Sequence, residues 1–235
     1  MPVILHIETS GKTCSVALSE EENILMEKTI REDRSHAKSL TIMIQEMMKT
    51  AEISFSRLDA VAVSAGPGSY TGLRIGVSVA KAICFASDIP LIAVPTLEIL
   101  LKHLFHHADE SGIPIDKADY FVPMIDARRM EVYQVIYDRN GNVVENVAAR
   151  IIDENAYSHL LDEHNLVFFG DGAGKCQDII RHQNALFVSD IEPEAKFMTE
   201  IALKKYRSKA FEDTAYYEPF YLKAFQATVP KNKMF

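Results

Sequence analysis

The chain has no tryptophan and only three cysteines, Cys14, Cys84 and Cys176, which are odd in number, far apart and without a CxxC pair. That usage speaks against a disulfide framework or a zinc ribbon and predicts reduced thiols. No apolar run approaches the roughly 18 residues that a membrane-crossing helix needs. Met1-Pro2 leads straight into an apolar strand pattern, without the basic start and long greasy stretch of a secretory leader. A cytoplasmic protein is the expectation. Basic residues are also scarce: 25 Lys and Arg face 33 Asp and Glu, a net charge of −8. Such a surface opposes nonspecific binding of nucleic acid, and Lys231 and Lys233 near the end are too few to reverse that. What the chain does have is 48% hydrophobic residues over 235 positions, enough to bury a substantial core as one domain or two small lobes.

The most informative stretch is AVAVSAGPGSYTGLRIGVSVA, residues 60–80, an apolar strand running into a glycine-rich corner and then a helix. Gly66 and Gly68 bracket Pro67 in a tight turn, and Ser69 or Thr71 can cap a helix that starts near Tyr70. The corner matches neither GxGxxG nor the Walker pattern. A stiff strand-to-helix turn and an anion or carbonyl site at the helix start both fit it. In the helix, Leu73, Val77, Ala80 and Cys84 form one apolar face. Ile75, Val79, Ala82 and Ala86 form a second on nearly the opposite side, leaving Arg74, Ser78 and Lys81 as a narrow polar stripe. Burial on two sides is expected, the second side lying under this chain or against another one, with Gly72 and Gly76 admitting a close neighbour. An earlier helix, Ser35 to Glu52, carries a wide, methionine-rich stripe of Leu40, Met43, Ile44, Met47, Met48 and Ala51.

The two halves echo each other. LHIETS leads into CSVALS, an acidic turn and ILMEKTI; from Pro123, PMIDAR leads into EVYQVIY, the turn DRNGN and VVENVAA. Each unit reads as a strand ending in a carboxylate, Glu8 or Asp126, then two strands joined by a hairpin turn, then helices and a further strand. Two related lobes follow from this pattern. GDGAGK, Gly170 to Lys175, follows a strand and is expected to start a helix, but it fails as a Walker loop. His103 and His107 in HLFHH have the helical spacing of metal ligands; a solvated helix end is the reading preferred for them.

The runs ILHIETSGKTCSVAL, SAGPGSYTGLRIG and IDARRMEVY, in that order across residues 4–133, resemble the TsaB (YeaZ) family of tRNA threonylcarbamoyladenosine biosynthesis. EPFYLK near the end is similar to that family's usual finish. The resemblance implies an α/β fold of two ribonuclease-H-like lobes, as in actin, sugar kinases and Hsp70, with mixed sheets flanked by helices. We place the lobes at 1–107 and 108–235, the C-terminal segment packing back on the first. It further implies a noncatalytic subunit that activates a TsaD paralogue, with the ATPase TsaE joining the complex, TsaC making the adenylate upstream, and tRNA reached only indirectly.

By the same resemblance, the helices of the first lobe form the TsaD interface, with Met43, Met47, Leu73, Val77, Ala80 and Cys84 as candidates, and homodimers form when the partner is missing. Glu8, Asp126, Gly170 and Gly172 then stand as vestigial nucleotide-site positions. No catalytic residue, metal or cofactor is expected, because Thr96 and Leu100 align with the paralogue's two histidines. The rival readings are a small ATP-dependent phosphotransferase using Glu8 or Asp126, and a metallopeptidase using His103 and His107.

Overall fold

The computed structural model describes residues 1–31 and 36–223, with backbone only for 36–38. The proposed helix start at Ser35 and the tail lysines Lys231 and Lys233 lie outside the described residues. The first sheet holds β1 (Val3–Glu8), β2 (Cys14–Glu20), β3 (Asn23–Ile30), β4 (Ala60–Gly66) and β5 (Leu91–Pro95) in the order β3-β2-β1-β4-β5. The second holds β6 (Tyr120–Asp126), β7 (Glu131–Asp138), β8 (Val143–Ile151), β9 (Leu166–Phe169) and β10 (Ala185–Val188) in the order β10-β9-β6-β7-β8. In each sheet the first three strands pair antiparallel, and the last two add in parallel beside the first. The sequence echo is therefore a repeated topology: two α/β lobes whose sheets share one strand order.

Every residue of β1 is buried because the sheet is covered on both faces. Val3, Leu5 and Ile7 face a core shared with α1 (His36–Thr50) and α2 (Tyr70–Ser87). Ile4 faces the other way, toward Met198 and the residues Ile201 and Ala202 of the later helix Thr199–Arg207. On that second face His6 is fully buried, its Nε2 2.8 Å from Ser19 Oγ, and burial pushes its pKa down to about 3.

Helix α3 (Thr96–Ser111) belongs to both lobes. Leu97, Leu100, Leu101 and Leu104 pack against Phe121, Val135 and Phe169 of the second sheet, while Ile99 packs on the first. The boundary placed at 107/108 thus falls inside a helix that is apolar on two sides. The short α4 (Ser158–Leu161) covers the second sheet with Tyr157. Helix α5 (Thr199–Arg207) returns to the first sheet, where Lys205 Nζ donates to Ala93 O at 2.6 Å. Gly170 to Lys175 does not start an α-helix; it passes into a single 3-10 turn, Gly174–Cys176. After α5 the chain runs back along the first lobe, with Glu212 N donating to Leu91 O at 2.9 Å and Phe220 N to Ala65 O at 2.7 Å.

Candidate functional site

The glycine-rich corner fits α2 tightly against the loop that follows β1. Ser69 is the cap, its Oγ accepting from Gly72 N at 3.2 Å, while its own N–H donates to Ser10 O at 2.6 Å; Thr71 is exposed and does not cap. Gly66 needs its positive φ of 102° at the strand end. A Cβ on Gly72 would lie 2.0 Å from Thr9 O, one on Gly68 2.6 Å from Ser10 O, and one on Gly76 2.3 Å from Thr9 Oγ1. Gly72 and Gly76 therefore admit the chain's own loop, not a second helix, and Thr9 Oγ1 secures the contact by donating to Gly72 O at 2.8 Å.

The two faces of α2 have different fates. Leu73, Val77, Ala80 and Cys84 are all at most 5% exposed, as are Met43 and Met47 of α1. All six candidate interface residues are interior, because β1 and β4 leave an apolar sheet face that α1 and α2 cover. The expectation that they form a docking surface is corrected accordingly. On the opposite side, Ile75 and Val79 are half-buried, and Ala82 and Ala86 are exposed. Phe85 is 88% exposed, and on α1 Ile42 is 53% exposed. Two-sided burial within this chain therefore fails for α2. Phe85 escaped the sequence reading because it falls outside both apolar rows; an unexplained aromatic on the polar side was the available signal.

Between the lobes lies a cleft of about 1220 Å³, walled by the loop 10–13, the corner 67–71, the end of β6 and the segment 220–223. Asp126 stands at its wall, paired with Lys175 and accepting from Arg128 N at 2.8 Å. Burial works to raise the Asp126 pKa, but the Lys175 ammonium and the Arg128 N–H outweigh it and hold the carboxyl below its usual range. Lys175 also donates to Arg129 O and Glu131 O, both at 2.7 Å, fastening a loop in which Arg128 and Arg129 have φ of 70° and 51°.

Glu8 does not join Asp126 at the cleft. Its side chain is fully buried, with one carboxylate oxygen accepting from Ser10 N, and burial pushes its pKa up to about 7. Gly170 and Gly172 are spacers beneath β6: a Cβ on either would collide with the backbone of Met124 or Ile125. The four nucleotide-site positions thus divide into one cleft residue, one buried acid and two packing glycines.

The histidines divide: His106 is exposed, as a solvated helix side would have it, whereas His103 is not. Helix α3 continues to Ser111, and His103 turns inward, its Nδ1 2.7 Å from Glu192 O and its ring stacked 4.2 Å from Phe197. Burial lowers its pKa. Among the described residues no group of three or more His, Cys, Asp and Glu side chains is placed to hold a metal ion.

Comparison with known proteins bears on the whole of this architecture. The family profile described as TsaD: tRNA N6-adenosine threonylcarbamoyltransferase matches residues 23–230. The tRNA threonylcarbamoyladenosine biosynthesis protein TsaB of Haemophilus influenzae is 29% identical over 233 residues, covering 94% of this chain and 93% of that one. The solved structure of YeaZ from Pseudomonas aeruginosa superposes with a TM-score of 0.79 at 26% identity, covering 94% of this chain and 100% of that one. The chain belongs to the TsaB/YeaZ family. Its kinship with TsaD is strongest locally: the tRNA N6-adenosine threonylcarbamoyltransferase of Geobacillus thermodenitrificans is 51% identical over 61 residues, 26% of this chain and 18% of that enzyme. The similarity to TsaB and YeaZ proteins spans both lobes, as the profile match does, so the two-lobed fold and the returning C-terminal segment lie within the compared length.

Proposed function

We propose that this chain is a noncatalytic, cytoplasmic subunit in the biosynthesis of threonylcarbamoyladenosine in tRNA, binding and activating a TsaD-type paralogue. TsaB-named relatives along most of the chain support the pathway, and local kinship with threonylcarbamoyltransferases supports a partner of related fold. The observation that carries the docking reading is the outer side of α1 and α2, where Phe85 is 88% and Ile42 53% exposed although both helices bury their other faces fully. Large apolar side chains held out on rigid helices suit a helix-to-helix contact. The paralogue would supply the reacting groups and the metal, and TsaE would join the assembled pair. This chain would act by differential binding, favouring the partner conformation that it contacts best. Self-association through the same helices would compete when the partner is scarce.

The experiment is light scattering of this chain, the TsaD-type protein of the same organism and their mixture, followed by threonylcarbamoyl transfer to tRNA with each. A mixed complex is expected, with transfer that requires both chains. Phe85→Arg should leave the fold intact and weaken the complex. Absence of a complex, or transfer by this chain alone, would overturn the reading.

A further inference from the structure

The charge on the uncovered helices is one-sided. The protein carries −8 overall, yet α2 contains no acidic residue; its charged side chains are Arg74 and Lys81. Lys81 is occupied, donating to Ala215 O at 2.9 Å and Tyr217 O at 3.2 Å. Helix α1 contributes a single acid, Glu46, which is already paired with Lys28.

Arg74 differs from both. It is exposed, and among the described residues it forms no ion pair. Its guanidinium carbon sits 4.3 Å from the centre of the Tyr70 ring and 5.9 Å from that of Tyr221. Its Nε donates to Tyr221 Oη at 3.2 Å, and the two rings pack with centroids 4.8 Å apart. Glu218 acts on it through space, without an ion pair. One nitrogen and one ring face thus fix the side chain, which stays exposed to solvent. A guanidinium held in this way loses little conformational freedom when it binds a carboxylate in the forked, two-point manner. It stands at the edge of a groove of about 520 Å³ whose apolar wall is Ile75 and Val79.

We propose that Arg74 is the specificity anchor of this face: it receives a carboxylate from the docking helix of the partner, and so selects an acidic partner helix over a second copy of this chain. The inference rests on the reading of α1 and α2 as the docking face. Within the bounds of the two helices, a second copy offers Arg74 the carboxylate of Glu46, which Lys28 already holds. A partner helix that carries carboxylates would meet Arg74 with opposite charge where a second copy would bring its own Arg74 and Lys81, and that difference would discriminate.

Titration calorimetry of this chain with the TsaD-type protein, at low and at high salt, tests the proposal. Arg74→Ala is expected to weaken binding by about tenfold or more, and Arg74→Glu further. Arg74→Lys keeps the charge without the fork and should recover part of the loss. Tyr221→Phe, which removes only the oxygen holding Nε, should cost a smaller factor. The wild-type affinity should fall with added salt and that of Arg74→Ala much less, a response that a merely structural role would not produce. Circular dichroism verifies that each variant is folded, as the exposure of Arg74 leads us to expect. A folded Arg74→Glu that binds as wild type would overturn the anchor while leaving the docking face standing. Failure of the wild-type chain to bind would overturn the docking reading, and the anchor with it.

Discussion

Replacing Glu8 with glutamine should change how stability depends on pH. Glu8 ends β1 with no exposed surface; one oxygen accepts from Ser10 N and the other has no partner among the described residues. Burial disfavours the carboxylate and pushes the pKa from 4.5 to about 7. With the folded-state value above the unfolded one, the stabilising contribution is complete below pH 4.5 and is lost as pH rises through about 7. The gap between these values corresponds to about 3 kcal/mol. His6 runs in the opposite direction: its pKa, lowered to about 3, makes the fold gain stability as pH rises from that value toward 6.5. The wild-type curve therefore mixes the two, and the difference between variant and wild type isolates Glu8.

In Glu8→Gln the amide oxygen keeps the Ser10 N–H, and any cost of the buried NH2 group is the same at every pH. Urea unfolding at intervals between pH 4 and pH 8 should show the variant gaining on wild type by about 3 kcal/mol across that range. Parallel curves, with a constant offset, would refute the reasoning, since they would mean that Glu8 ionises alike in the folded and unfolded chains.

Two further substitutions test the assignment of faces and contacts. Val77→Arg places a charge in the interior of the first lobe, where Val77 is 5% exposed, and should lower stability by about 4 kcal/mol. Chemical denaturation measures this, and a loss of partner binding in that variant would report unfolding. Phe85→Arg should keep the wild-type melting temperature, so the pair separates interior from surface on one helix. Gly72→Ala puts a Cβ 2.0 Å from Thr9 O and should cost about 2 kcal/mol or more, with α2 displaced from the loop after β1; amide exchange across Thr9 to Leu73 would register the change, and unchanged protection would show that the loop yields easily.

Much of the architecture was legible because it is local or repeated. Strand periodicity, the turn at Gly66 to Gly68 and the serine before α2 act over a few residues, and the repeated unit around Glu8 and Asp126 exposed the duplication. The motifs shared with the TsaB/YeaZ family lie on those same segments. The pattern on α2 likewise announced two apolar rows, but both rows satisfy the same helical period, so nothing in the sequence says which one meets the sheet. Docking against β1 and β4 decided that, turning Leu73, Val77, Ala80 and Cys84 inward and leaving Phe85 in solvent. The division of the two related carboxylates was equally a tertiary matter. Each ends the first strand of its lobe, yet the Ser10 turn closes over Glu8 while Lys175, far along the chain, holds Asp126 open to the cleft. Composition and periodicity thus determined the elements and their repetition. Contacts between residues distant in sequence decided exposure, and with it the placing of Arg74 between Tyr70 and Tyr221, because no local rule brings position 221 beside position 74.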